Sequence, residues 1–172
     1  MKVFGYGKFD GNGEMPLVSY TGEYAHMNMD IRVYAIKKNQ EKTFEKAEEE
    51  MAILLLSGKI AFSWDDKSAE AARRDVFTDG PYALHVCHSV KVTVKALENT
   101  EILVQCTKNE KIFASRLYKP EDAPWKYSCK GMYGNTANRR VNTIFDHDIC
   151  PESNMVLGEV LNDRGNWSGY LP

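Results

Sequence analysis

Short apolar runs separated by turn residues recur along the whole chain. Evenly spaced runs of this kind predict β-strands. The predicted strands are 29–36, 51–56, 60–64, 82–86, 90–94, 101–105, 112–117, 140–145 and 154–160. Many short strands in series are typical of a barrel, a sandwich or a jelly roll. We therefore expect an all-β fold.

Two parts of the pattern allow more than one secondary structure. The runs 51–56 and 60–64 flank Ser57 and Gly58, so we predict two strands joined by a tight turn. Residues 41–51 are rich in Glu and Lys, and residues 68–74 are rich in Ala and Arg, so both segments could form helices on propensity alone. Both segments are short and lie between predicted strands, where tertiary context often overrides propensity, so we expect strand or loop.

Charge and composition exclude several classes of protein. The 172 residues carry a net charge of −2 with both signs interspersed, so we expect no nucleic-acid partner. No apolar stretch has the length of a membrane span, and the N-terminus shows no export signal, so we expect no membrane partner and a cytoplasmic location. The cysteines at 87, 106, 129 and 150 form no C-x-x-C pair, so we expect four free thiols.

Few residues offer chemistry. His85 and Cys87 lie two positions apart on a predicted strand and therefore share a face. With a carboxylate such as Glu50 they would make a soft-ligand metal site. The alternative is a core histidine beside a small buried cysteine. His26 and His147 stand among polar residues, and we expect them to be solvated.

Two charged clusters have similar ambiguity. The acidic run Glu48, Glu49 and Glu50 contains possible metal ligands, although such runs are usually solvated surface. The neighbours Arg139 and Arg140 could clamp a carboxylate, because a guanidinium offers a planar fork to two oxygens. Neither cluster assembles a recognisable active site on sequence grounds. We assign no catalytic or metal-binding residue, and the substrate-binding residues are unknown.

Five segments resemble a known family. They are 1–9, 52–59, 79–86, 158–160 and 165–172, and they are similar to the N-terminal half of the 5-deoxyglucuronate isomerases of inositol breakdown, which are related to the ketodeoxyuronate isomerases. The resemblance extends over essentially the whole chain. It implies a cupin-type double-stranded β-helix (jelly roll), followed by the opening strands of a second cupin domain.

The resemblance also implies a function. Members of this family interconvert the aldose 5-deoxyglucuronate and the ketose 5-dehydro-2-deoxygluconate, small sugar acids, with a divalent metal and a general base. Their metal is held by histidines and a glutamate of the second cupin, after the segment matching 165–172. Residues 42–46 stand where a His-x-His pair would be expected in the first cupin. We therefore expect no cofactor in these residues and no activity from them alone.

Two other functions remain open. One is a non-catalytic cupin module that binds a sugar acid or serves in assembly. The other is a small metal-dependent cupin enzyme that uses His85, Cys87 and Glu50.

The same resemblance suggests how the chain is divided. We predict an N-terminal cupin-like domain at 1–118, a linker at 119–138 rich in Pro and Gly, and the first strands of a second cupin at 139–172. The strands after the linker carry apolar residues that need cover and edges that need partners. We therefore expect a homodimer formed through these strands.

Overall fold

The computed structural model describes residues 7–167, which form an all-β structure with three short 3-10 turns. Nine strands of this part form one unit, and three more form a second sheet. The strands are β1 Glu14–Val18, β2 Asp30–Ile36, β3 Glu41–Phe44, β4 Glu49–Trp64, β5 Lys67–Arg73, β6 Ala83–Val86, β7 Val92–Ala96, β8 Thr100–Lys108, β9 Arg116–Tyr118, β10 Lys126–Ser128, β11 Arg139–Phe145 and β12 Leu157–Asn162.

Strand β4 connects the two halves of the nine-stranded unit. Its first half pairs with β8 on one side and with β6 on the other. Beyond β8 the sheet continues with β2 and then β1, and beyond β6 it continues with β9. Its second half pairs with β5 and β7, and β7 pairs with β3. All of these pairings are antiparallel. The two halves enclose one apolar core, which is the jelly-roll arrangement predicted from the sequence.

The turn predicted at Ser57 and Gly58 is wrong, because β4 continues through both residues for 16 positions. The strand bends there instead, and its register against β8 shifts between Leu55 and Ser57. Gly58 has φ +100°, and a Cβ at this position would lie 2.3 Å from Thr100 Oγ1 and 2.5 Å from a backbone oxygen. Glycine therefore marks a bend inside one strand rather than a hairpin turn.

The first half of β4 is buried on both of its faces. Met51, Ile53 and Leu55 point into the core of the nine-stranded unit. Ala52 and Leu54 point to the outer side, where a second apolar cluster covers them. A strand buried on both faces appears in the sequence as an uninterrupted apolar run. This explains why residues 51–56 show no alternation.

The outer cover comes from the end of the chain. We call residues 139–162, which contain β11, β12 and the segment between them, the C-terminal layer. Four of its apolar side chains are buried against the nine-stranded unit: Ile144, Phe145, Met155 and Leu157. Val156 and Val160 remain exposed. Much of the apolar surface that motivated the dimer prediction is thus covered within the chain.

The segment predicted to be a linker is partly ordered. It contains β10, which pairs with β11, and two 3-10 turns, Pro120–Asp122 and Met132–Asn135. The sheet order β10-β11-β12 leaves β12 with one strand neighbour among residues 7–167. The proposed domain boundaries at 118 and 138 stay a prediction.

Two further local predictions had different outcomes. The helix-prone segments form strands, since 41–51 contains β3 and the start of β4, and 68–74 lies largely in β5. The strand predicted at 112–117 is wrong, because pairing begins only at Arg116 and Ile112 is 78% exposed. The Asn109 side chain accepts a hydrogen bond from the Lys111 backbone N–H and donates to the Glu152 carbonyl. These bonds hold the chain outside the sheet at this point.

Some predictions fall partly outside the described residues. The resemblance segments 1–9 and 165–172 extend beyond residues 7–167, as does the N-terminal region in which no export signal was found. Within 7–167, helices long and apolar enough to cross a membrane are absent.

Candidate functional site

The core of the nine-stranded unit is filled by apolar side chains. Ile53, Leu55, Ile60, Phe62 and Leu84 are all completely or almost completely buried there. In β3, at the place where the family resemblance suggests a His-x-His pair, Phe44 packs against this core and the Lys42 ammonium lies 4.6 Å from the centre of the Tyr34 ring. The core therefore presents packed hydrocarbon rather than converging polar groups.

Two of the predicted chemical residues do meet, on the outer side of this unit. His85 Nε2 donates a hydrogen bond to Glu50 Oε2 at 2.9 Å, and both side chains are buried. β6 and β4 are paired strands, and both side chains face the C-terminal layer. That layer contributes two more donors to the Glu50 carboxylate, the Ser153 hydroxyl at 3.0 Å and the Asn154 backbone N–H at 2.6 Å.

Aromatic rings close around the histidine. The Phe145 ring stacks on the imidazole with centroids 4.0 Å apart and planes within 6°. The Phe113 ring contacts it with a centroid separation of 4.6 Å. Imidazole and carboxylate are thus enclosed and hydrogen-bonded, as buried polar groups must be. The pair fastens the C-terminal layer to the nine-stranded unit.

The third predicted ligand does not complete a metal site. Cys87 is buried just after the end of β6. Among residues 7–167, groups of three or more His, Cys, Asp or Glu side chains that could hold a metal ion are absent. Both Glu50 oxygens already accept hydrogen bonds, and the donor facing them is the His85 ring nitrogen. These residues do not fit a divalent metal.

The acidic run at 48–50 is divided among three environments. Glu48 is exposed, as expected of a solvated run. Glu49 pairs with Lys46 at 3.1 Å, and Glu50 is buried beside His85. His26 and His147 are exposed, as predicted. The expectation of a solvated run is therefore wrong for Glu50, because strand alternation turns it beneath the C-terminal layer.

A second buried ionic contact was missed by the sequence analysis. The Arg73 guanidinium forms two hydrogen bonds to the Glu159 carboxylate, at 2.7 and 2.8 Å. It also donates to the backbone carbonyls of Leu55 at 2.9 Å and Asp79 at 3.0 Å. The sequence did contain a sign that Arg73 is buried. Every second residue of β5 faces the same side, so Arg73 shares a face with Ala69 and the buried Ala71.

The two adjacent arginines do not form a clamp. Because they are neighbours on β11, their side chains point to opposite faces of the sheet. Arg139 donates to Cys129 Sγ at 3.4 Å and to the Ala137 carbonyl. The Arg140 guanidinium lies 5.0 Å from the centre of the Trp125 ring. The two guanidinium groups therefore do not converge on one carboxylate, and carboxylate binding by either arginine alone stays a prediction.

The four cysteines are unpaired and differ in their surroundings. Burial raises the pKa of the Cys106 thiol to about 12. Cys129 is partly exposed, and hydrogen bonds from the Ser128 hydroxyl and the Arg139 guanidinium lower the pKa of its thiol. Cys129 is thus the more readily ionised of these two thiols.

An open groove of about 1090 Å³ lies at one side of the nine-stranded unit. Several of its polar side chains accept hydrogen bonds from backbone N–H groups. Asp10 Oδ1 accepts from two backbone N–H groups at 2.8 Å, Gln40 Oε1 accepts from one at 3.1 Å, and Asn99 Oδ1 accepts from one at 3.0 Å. These side chains stabilise the local backbone instead of converging on a ligand.

Comparison with known proteins identifies the family of this chain. The model of the KduI/IolB family matches residues 6–172. The chain belongs to the KduI/IolB family. A solved relative, an IolB-like protein from Salmonella typhimurium LT2, superposes with a TM-score of 0.71 at 18% identity, over 80% of this chain and 52% of that chain. The predicted cupin-type jelly roll is confirmed.

Two curated relatives carry the same name. A 5-deoxy-glucuronate isomerase from Geobacillus thermodenitrificans is 29% identical over 94% of this chain and 58% of its own length. The protein of the same name from Bacillus subtilis strain 168 is 23% identical over 84% of this chain and 53% of its own length. The chain thus spans about half the length of the curated relatives it matches.

Proposed function

We propose that the protein takes part in the isomerisation of the aldose 5-deoxyglucuronate to the ketose 5-dehydro-2-deoxygluconate in the cytoplasm. The observation that carries this proposal is the match to the KduI/IolB family over residues 6–172, together with curated relatives named 5-deoxy-glucuronate isomerase. In this proposal the 172 residues supply a cupin unit and its C-terminal layer.

The catalytic centre, in the same proposal, lies in the part of the relatives that this chain does not span. Two features support this assignment. The core of the nine-stranded unit is packed with apolar side chains, and the buried His85 and Glu50 satisfy each other and the C-terminal layer. Their role in the proposal is structural: they hold the layer that leads toward the rest of the protein.

The test is a turnover assay with 5-deoxyglucuronate, in which NMR follows formation of the ketose. The Bacillus subtilis enzyme is the positive control. We expect no turnover from the 172 residues alone, with or without added Mn²⁺ or Zn²⁺, and turnover once the C-terminal half of a curated relative is supplied. Turnover by the 172 residues alone would refute the location of the catalytic centre. No turnover in either case would refute the isomerase assignment.

A non-catalytic module that binds a sugar acid is the second candidate. The packed core favours it, because a folded unit without a reaction chamber can still present a binding surface. Binding of uronic acids without turnover, even in the presence of the complementing half, would support this candidate over the isomerase.

A further inference from the structure

Positive charge is concentrated in one stretch of an otherwise slightly acidic chain. Between Asp122 and Asp146 the sequence has no Asp or Glu, although the whole chain has a net charge of −2. The same stretch has four basic residues, Lys126, Lys130, Arg139 and Arg140. It folds into β10, a 3-10 turn and β11. An unbalanced basic surface of this kind attracts anions.

Aromatic rings lie directly beside two of these basic groups. Tyr127 of β10 is paired in register with Arg140 of β11, so both side chains are on the same face of the sheet. The Arg140 guanidinium lies 5.0 Å from the centre of the Trp125 ring, and the Lys130 ammonium lies 5.5 Å from the centre of the Tyr127 ring. We call Trp125, Tyr127, Lys130 and Arg140 the aromatic shelf.

The aromatic shelf lies at the end of a face that is covered elsewhere. Further along the same face of β11, Asn142 is 1% exposed and Ile144 is fully buried beneath the nine-stranded unit. At the β10 end, Arg140 is half-buried and Tyr127 is 59% exposed. The sheet therefore extends past its cover, and the shelf is open to a ligand.

Within residues 7–167, Arg140 is also free of an acidic partner. No Asp or Glu side chain among residues 7–167 lies within ion-pair distance of it. Arg116 provides an internal comparison, because it lies 4.5 Å from the Tyr118 ring centre yet pairs with Asp122 at 3.2 Å. Two arginines thus contact aromatic rings in the same way, and only one of them has its charge balanced.

We propose that the aromatic shelf binds the carboxylate and the ring of a sugar acid. Arg140 donates hydrogen bonds from its guanidinium N–H groups to the carboxylate oxygens. Trp125 and Tyr127 supply apolar contact for the C–H face of the sugar ring. The identity of the ligand rests on the proposed function, whereas the site is inferred from charge and geometry.

The experiment is an NMR titration of the ¹⁵N-labelled 172-residue protein with D-glucuronate, and with neutral D-glucose as the control ligand. We expect saturable shifts around the aromatic shelf with glucuronate and none with glucose. Arg140→Gln should weaken glucuronate binding by about tenfold or more, because a charged hydrogen bond is lost. Arg140→Lys should lose less, and the matched variant Arg116→Gln should bind like the parent.

Several results would overturn the proposal. These are the absence of glucuronate binding at the shelf, an equal response to glucose, or unchanged affinity in Arg140→Gln with its thermal unfolding intact. If Arg140→Gln instead dissociates a dimer that does not bind glucuronate, the shelf is a protein interface. Binding is measured without turnover, so a failure of the isomerase assay leaves this result standing, and the reverse also holds.

Discussion

Removing one member of the Arg73–Glu159 pair is expected to destabilise the protein strongly. The Arg73 side chain is fully buried and that of Glu159 is 9% exposed, so water cannot solvate the charge that remains. In Glu159→Leu the guanidinium keeps only backbone carbonyls as acceptors. In Arg73→Met the carboxylate keeps the Asn142 amide at 3.2 Å. Each change should lower the free energy of unfolding by about 3–5 kcal/mol.

The double variant Arg73→Met/Glu159→Leu should lose much less than the sum of the two single changes. Removing both charges eliminates the unpaired buried ion, and apolar side chains of similar volume often replace a buried ion pair without loss. The remaining loss of stability comes from the Leu55 and Asp79 carbonyls, which no longer have the Arg73 guanidinium as their donor. Lost hydrogen bonds of this kind cost about 1–3 kcal/mol in total.

Urea denaturation followed by circular dichroism measures these differences. The matched control is Lys59→Met/Glu70→Leu, which removes an ion pair of nearly the same length, 2.8 Å, between side chains that are 40% and 60% exposed. Solvent screens that pair, so its loss should leave the midpoint almost unchanged. Single variants no less stable than this control, or a double variant equal to the sum of the singles, would refute the reasoning.

Three other predictions follow. Gly58→Ala should lower the free energy of unfolding by about 2–4 kcal/mol. The control Gly131→Ala should cost less, because Gly131 also has a positive φ but a Cβ there would have no neighbouring atom within 4 Å. Equal losses of stability in urea denaturation would exclude the close approach of Gly58 to Thr100. Because hydrogen bonds lower the pKa of its thiol, Cys129 should be more ionised than Cys106 at a given pH and should react first with iodoacetamide. Arg139→Gln should slow the alkylation of Cys129. Equal alkylation rates of Cys129 and Cys106 in mass spectrometry would contradict this prediction. We expect light scattering to show a homodimer, and we expect Val160→Lys, on the β12 edge, to dissociate it. A monomeric parent protein would refute this prediction.

Alternation of apolar and polar residues predicted strands well where one face is buried. It located β2 to within a residue. For 68–74, where propensity favoured a helix, the expectation was strand or loop, and most of this segment lies in β5. It failed at Gly58 because a bend and a hairpin turn use the same residue type. The difference lies in which distant strands pair with each half of β4, and a local pattern does not contain that information.

The chemistry was predictable to a similar extent. Strand periodicity drew attention to His85, and the structure places Glu50 beside it as proposed. Cys87 does not join them in a metal site, since a shared face specifies direction and not the position of a side chain beyond the strand end. Arg73 was missed because its partner Glu159 is far away in the sequence and reaches it only through packing of the C-terminal layer.

The position of β4 in both halves of the nine-stranded unit also governs how the protein folds. Each half is incomplete until this strand is in place. The ladder between β4 and β8 joins strands that are separated in the sequence by β5, β6 and β7. Closing such loops precedes the energetic gain of pairing, so a topology rich in distant contacts folds slowly, on the order of milliseconds to seconds. A backbone break within β4 would interrupt both halves of the nine-stranded unit at once. A break in the loop at 109–115 would leave every ladder of β4 intact.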